Sequence, residues 1–168
     1  MILRNHDTVN RDILFDRLRN LGIGGIFLNN LKALCQKTEY LITHKDGYLD
    51  PIDSNIGLEQ GCPLSPIMFN LYIDDMKNIF DTTCEAMSIQ DIKLNYIIYA
   101  DDLLLMSYTK EGLQRSIDKL EIFAEKKHIT ISHEKSKTMI FNKTGRLIKE
   151  SFKANYKELQ SVRNFCYT

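Results

Sequence analysis

The sequence predicts an α+β domain in which helices cover one face of an antiparallel sheet. Two observations carry that prediction. Apolar residues recur at helical spacing in four segments, and between and after them lie short strand-like runs joined as hairpins. The order is helix, hairpin, helix, hairpin, helix, strands. Composition agrees: 168 residues, 43% hydrophobic and 26% charged, make one domain by length. Such a chain buries roughly two-thirds of its unfolded surface.

In residues 10–21 (NRDILFDRLRNL), Ile13, Leu14, Leu18 and Leu21 share a face, which predicts an amphipathic helix ended by Gly22. A second helix follows at about 24–36 and carries Ile26, Phe27, Leu31 and Leu34. Gly22, Gly24 and Gly25 have no strand before them and no G-x-G-x-x-G or Walker spacing, so they read as a break between helices. Next comes a hairpin: YLIT, a turn at Lys45-Asp46-Gly47, and a strand reaching about Ile56. Ser65 reads as an N-cap with Pro66 at the first helical position. Met68, Leu71, Tyr72, Met76 and Ile79 follow at helical spacing. A second hairpin spans 94–107, and Thr109 caps a helix lined by Leu113, Ile117, Leu120 and Phe123. From about 129 the tail alternates short strands: ITIS, KTMIF and RLIKES.

Charge and composition exclude several classes. Lys+Arg and Asp+Glu both count 22, whereas a free-standing nucleic-acid binder is usually basic. Any nucleic-acid role must therefore rest on local sites. Cys35, Cys62, Cys84 and Cys166 are scattered, without C-x-x-C, which fits a reduced intracellular protein better than a disulfide framework or zinc site. His6, His44, His128 and His133 form no ligand pattern. No run approaches the ~20 apolar residues of a membrane span, and the N-terminus lacks a signal-peptide core. Nucleus and cytoplasm both stay open, and no specific protein partner is evident.

Residues 94–106, LNYIIYADDLLLM, set Asp101 and Asp102 between two apolar runs. A two-residue hairpin favours Asn-Gly or Asp-Gly for its positive φ values, so Asp-Asp brings no conformational advantage. Adjacent carboxylates on a tight turn are instead a ligand set for a hard divalent cation such as Mg²⁺; the plain alternative is a solvated turn. Upstream, residues 57–76 read GLEQGCPLSPIMFNLYIDDM. Gly57 and Gly61 let backbone approach a ligand, and Gln60 offers donor and acceptor. Alone this is a helix-entry loop. Asp74-Asp75 repeats the dipeptide inside a helix, where at least one carboxylate is expected to be solvated.

Taken together, the Q-G-x-P-x-S-P loop and the Y-A-D-D turn resemble the palm of a reverse transcriptase. QGCPLSPIMFNLYIDDM and YADDLLLMS are most similar to non-LTR (LINE-type) retrotransposon enzymes, with group II intron maturases as the nearest cousin. TVNRDIL after Asp7 resembles the continuation of A-F-D-x-V-x-x-D-x-L, and ITISHEKSKTMIF resembles the family's fourth motif, with Ser132 where asparagine is frequent. SVRNFCYT resembles the start of the primer grip. The resemblance covers nearly all 168 residues, as palm only. It implies a single partial domain over 1–168, from just after the first catalytic motif to the start of the primer grip. Fingers and thumb are missing from it.

The resemblance also implies roles. The family's chemistry is RNA-templated DNA synthesis, with two metal ions stabilising the attacking and leaving oxygens. Asp101 and Asp102 fall at the metal-holding positions, for Mg²⁺ with Mn²⁺ as a substitute. Gln60, Gly61, Pro63 and Ser65 fall in the loop that touches template and incoming nucleotide. Tyr99 falls beside the site as a packed strand residue. Lys135 falls at the proposed proton donor, with a surface lysine as the alternative. His6 stands at the aromatic position that rejects ribose, and Met1 at the first-motif aspartate. A thioether cannot hold Mg²⁺, so the expected site is incomplete and the chain a truncated reading frame, inactive alone. Its expected partners are RNA template, DNA primer and dNTP in the parent enzyme, with weak, salt-dependent nucleic-acid binding here. The alternative is a non-catalytic remnant with at most weak metal or nucleic-acid binding. An unrelated α+β binding domain would need both motifs to be coincidental. The chain is further expected to start too late to form the first palm strand, leaving an open sheet edge and poor solubility.

Overall fold

The computed structural model describes residues 1–4, 8–36, 38–40, 42–45, 47–48, 50–54, 56–80, 86–144, 148 and 150–165. Its elements begin with β1 (Ile2–Arg4), α1 (Arg11–Asn20), α2 (Gly25–Gln36), β2 (Thr38–Tyr40), β3 (Thr43–His44), β4 (Gly47–Tyr48) and β5 (Ile52–Ser54). Helix α3 (Ser65–Ile73), a 3₁₀ turn at Asp74–Met76 and α4 (Lys77–Phe80) come next. Then follow β6 (Met87–Ile89), β7 (Ile92–Leu94), β8 (Tyr96–Tyr99), β9 (Asp102–Leu105) and α5 (Lys110–Lys126). Last are β10 (Thr130–Ser132), β11 (Lys137–Thr138), β12 (Lys153–Ala154), β13 (Lys157–Glu158) and β14 (Gln160–Ser161). The mixture of helices and mostly antiparallel strands is the α+β class the sequence predicts. The described chain divides into two compact units, Asn5–Asp74 and Met1–Arg4 with Asp75–Thr168.

In the Asn5–Asp74 unit, Asn10 caps α1: its side-chain oxygen accepts from the amides of Asp12 and Ile13 at 3.0 and 3.1 Å. The helix ends in a Schellman motif. The Ile23 amide reaches the Leu18 carbonyl and the Gly22 amide reaches Arg19, each at 3.0 Å, with Gly22 at φ +85°. Its buried stripe is Arg11, Leu14, Phe15 and Leu18. Leu21 falls off the expected face because it is already the C-cap residue. The predicted hairpin is two-tiered, β2 pairing with β5 and β3 with β4; Asp46 of its turn lies outside the described residues. Helices α1 and α3 pack together, with Met68, Phe69, Tyr72 and Ile73 of α3 buried.

Ser65 is not the N-cap of α3. Leu64 takes that place without a side-chain cap, because the Ser65 hydroxyl turns back and donates to the Glu59 carbonyl at 2.7 Å. A hydroxyl so placed ties the loop to the helix instead of capping the helix.

In the other unit, β10-β1-β9-β8 form a four-stranded antiparallel sheet. The first strand expected to be missing is therefore present, three residues long and internal: Ile2–Arg4 pair with Thr130–Ser132 on one side, and Ile2 with Asp102 on the other. The edges are β10 and β8, so the exposed edge expected at the missing strand is not there. Helix α5 contacts β9, β10 and β12. Thr109 caps it as predicted, accepting from the Gly112 amide at 3.0 Å. Ile117, Leu120 and Phe123 are buried, and Ile117 joins Phe152, Ala154 and Leu159 in an apolar cluster. Of the tail strands, ITIS becomes β10 and KTMIF only β11, while Arg146, Leu147 and Lys149 of RLIKES lie outside the described residues. The β6–β7 and β12–β13 hairpins were not predicted.

Candidate active site

Asp101 and Asp102 stand where β8 turns into β9. The register pairs Tyr99 with Asp102, leaving Ala100 and Asp101 as the two turn residues. Of that pair only Ala100 has positive φ, +52°, the pattern of a type II′ turn, which favours glycine at this position. The dipeptide is thus split. Asp101 belongs to the turn, and Asp102 opens the strand.

Pleating decides what each strand residue faces. Leu103 is fully buried and Leu105 packs against the Ile117 cluster, so these two point to the helix-covered face. Asp102 and Leu104 point the other way, as do their cross-strand partners Tyr99 and Ile97. That face is open: Tyr99 is 83% exposed, Ile97 48% and Leu104 39%. Tyr99 is therefore not the packed strand residue expected. It flanks Asp102 on the open face, while Tyr96, three residues earlier, packs its ring 5.0 Å from that of Phe80.

Position 1 adjoins this row. The Leu103 amide donates to the Met1 carbonyl at 2.8 Å, and the Met1 amino group donates to the Leu103 carbonyl at 2.5 Å. Burial pushes the pKa of that amino group down, with the Asp102 carboxylate pulling it up. The Met1 side chain packs against the Ile117 cluster, and the residue paired with Asp102 is Ile2. Neither offers an oxygen ligand. Among the described residues no group of three or more His, Cys, Asp or Glu could hold a metal ion. Two adjacent carboxylates alone do not fit a two-metal centre.

Lys135 lies in the turn 133–135 that follows β10, and it is exposed. Ser132 is level with Ile2 and Asp102, so the chain leaves the sheet on the Leu103 side of that row, away from the Ala100-Asp101 turn. His6 lies outside the described residues. Gln60, Gly61, Pro63 and Ser65 belong to the other unit, Asn5–Asp74. There Gln60 and Gly61 are exposed at the crest of their loop, Pro63 is exposed beyond them, and Gly61 holds φ +89°.

Asp74 and Asp75 are both half-buried and ion-paired, where at least one merely solvated carboxylate is expected. Asp74 pairs with Arg17 at 2.7 Å and Asp75 with Lys127 at 2.8 Å, each within its own unit. Arg11, outside the apolar face expected for α1, is buried with it. Its signal was present: an arginine at the first position of the stripe 11-14-15-18.

The family profile described as "Reverse transcriptase (RNA-dependent DNA polymerase)" matches residues 5–163. The chain belongs to the reverse transcriptase family. Several curated relatives are proteins of transposable elements. The chain is 31% identical over 91 residues to the "Retrovirus-related Pol polyprotein from type-1 retrotransposable element R2" of Nasonia vitripennis, covering 54% of this chain and 9% of that protein. It is 24% identical over 136 residues to the "Transposon TX1 uncharacterized 149 kDa protein" of Xenopus laevis, covering 80% of this chain and 10% of the relative. A third, "Retrovirus-related Pol polyprotein from type-2 retrotransposable element R2DM" of Drosophila melanogaster, is 40% identical over 63 residues, covering 38% of this chain and 6% of the relative. This reverse transcriptase chain thus spans about a tenth or less of the curated relatives it matches. Reverse transcriptases as a family act on nucleic acid and use divalent metal ions. Among the described residues no helix is long and apolar enough to cross a membrane.

Proposed function

We infer that the chain is the palm segment of an RNA-directed DNA polymerase encoded by a non-LTR retrotransposon. Residues 1–168 are one partial reverse transcriptase domain. In the longer protein Asp101 and Asp102 bring carboxylates to Mg²⁺ or Mn²⁺, and the metal when bound stabilises the attacking and leaving oxygens of nucleotidyl transfer. RNA template, DNA primer and dNTP are the substrates of that protein. Gln60, Gly61 and Pro63 present the loop for template and nucleotide, and Ser65 anchors it. Tyr99 adds an aromatic face beside Asp102, and Lys135, exposed in its turn, is the lysine set against the nucleotide's phosphates.

One observation carries this reading: two carboxylates at a left-handed turn, next to the open face of a sheet whose other face is covered by a helix. A merely solvated turn has no need of alanine at φ +52°. The same site bounds the reading, since among the described residues no group of three or more His, Cys, Asp or Glu could hold a metal ion there. By itself the chain holds metal weakly and does not catalyse. That limit is also what favours the second reading, a non-catalytic remnant.

Amide NMR during a Mn²⁺ titration tests the assignment. Paramagnetic broadening is expected first at residues 99–103, at concentrations on the order of millimolar, and is lost in D101N/D102N. Broadening that persists in the double variant, or that centres on the α5 carboxylates, contradicts it.

A further inference from the structure

We propose that Arg11 is a positioning residue for the Gln60-Gly61 loop, holding it in the single conformation that presents Gln60 to nucleic acid. The proposal rests on the reverse transcriptase reading of that loop and adds to it a residue outside both motifs. Arg11 occupies the buried stripe of α1 and is only 9% exposed. Its Nε donates to the Gly57 carbonyl at 2.8 Å, and Nη2 reaches the Ile56 carbonyl at 3.4 Å. The Gly57 amide in turn donates to the Val9 carbonyl at 2.9 Å. The root of the loop is thus pinned to the start of α1 by the guanidinium fork and a backbone bond.

The other side is pinned as well. The Ser65 hydroxyl donates to the Glu59 carbonyl at 2.7 Å, the Cys62 amide to Glu59 at 3.3 Å and the Ser65 amide to Cys62 at 3.1 Å. Between the two anchors Gly57, Leu58 and Ser65 are buried, and Gln60 and Gly61 at the crest are exposed. Burying a cation is costly, and spending it on the backbone carbonyls of a surface loop makes sense where that loop must be rigid before it binds. A loop already in its bound shape loses less entropy on association.

Two measurements on the 168-residue chain, each made on R11A and R11K, test the proposal. Lysine keeps the charge but not the planar two-point fork, and it serves as the working variant where alanine does not fold. Hydrogen exchange should quicken at the amides of 57–62 while α5 stays protected. Fluorescence anisotropy with a short labelled RNA–DNA hybrid at low salt should show affinity falling about tenfold. In a Q60A background the same Arg11 change should cost almost nothing, because Arg11 acts through the loop. An equal loss of affinity in that background, or unchanged exchange at 57–62, overturns the positioning role. Wild-type chain that does not bind the hybrid, with the loop still loosened by R11K, overturns instead the nucleic-acid reading of the loop.

Discussion

Changing Ala100 probes how the turn holds its carboxylates. At φ +52° a Cβ crowds the backbone, a cost of about 1–2 kcal/mol for a residue other than glycine. Glycine removes that strain but frees the unfolded chain, which takes back about 0.5–1 kcal/mol. A100G should therefore be more stable by about 0.5–1 kcal/mol, the difference of those two terms. Valine moves in the opposite sense. Its branched side chain is a true outlier at positive φ, and A100V should lose about 1–2 kcal/mol. In a domain of this size 1 kcal/mol shifts Tm by roughly 2–4 °C. Thermal melts followed by circular dichroism, with urea unfolding to supply the free energies, should rank the variants Gly, Ala, Val from most to least stable. A valine variant as stable as the wild type, or a glycine variant clearly less stable, would refute the argument that this turn is strained.

Two other perturbations read the surroundings of the site. The Lys127–Asp75 pair is largely shielded, with side chains 10% and 30% exposed, and Asp75 Oδ1 is buried without a hydrogen-bond partner. K127M should cost about 2–4 kcal/mol by stranding that carboxylate, and adding D75N should recover about half, as read by a double-mutant urea cycle; additive losses would show no coupling. Burial pushes the Glu121 carboxyl up, with the Asn155 amide and His133 opposing it and Asp118 assisting. The folded chain then holds that proton more tightly than the unfolded one. Its contribution is fully present below the ordinary value of 4.5 and is lost as pH rises through the folded-state value. E121Q keeps the acceptor for Asn155, so the wild type should lose stability relative to E121Q as pH rises above 4.5; parallel pH profiles would contradict this.

The main features of the site were legible because they rest on residue types. Thr109 announced its cap, Gly22 its Schellman stop, and the two aspartates their turn between apolar runs. Features that depend on partners distant in sequence were not. Ser65 has the chemistry of an N-cap, but the Glu59 carbonyl claims its hydroxyl. Asp74 and Asp75 looked solvated because Arg17 and Lys127 lie 57 and 52 residues away along the chain. The β6–β7 hairpin escaped notice because its strands are three residues each and mostly exposed, so no burial alternation marks them. Tyr99 has the composition of a packed strand residue, and only the register shows it on the open face. Nothing in the sequence marks Ala100 as left-handed, since alanine is not a residue that favours positive φ. Arg11 broke the hydrophobic periodicity of α1 and so shifted the predicted stripe toward Ile13 and Leu21.

Template-directed primer extension by the purified 168-residue chain tests the central claim most directly. With an RNA template, a DNA primer, dNTPs and Mg²⁺ or Mn²⁺, the account predicts no extension, because among the described residues no third metal-ligating side chain joins Asp101 and Asp102. Template-dependent synthesis that disappears on Asp101→Ala would contradict it, showing that these two carboxylates suffice.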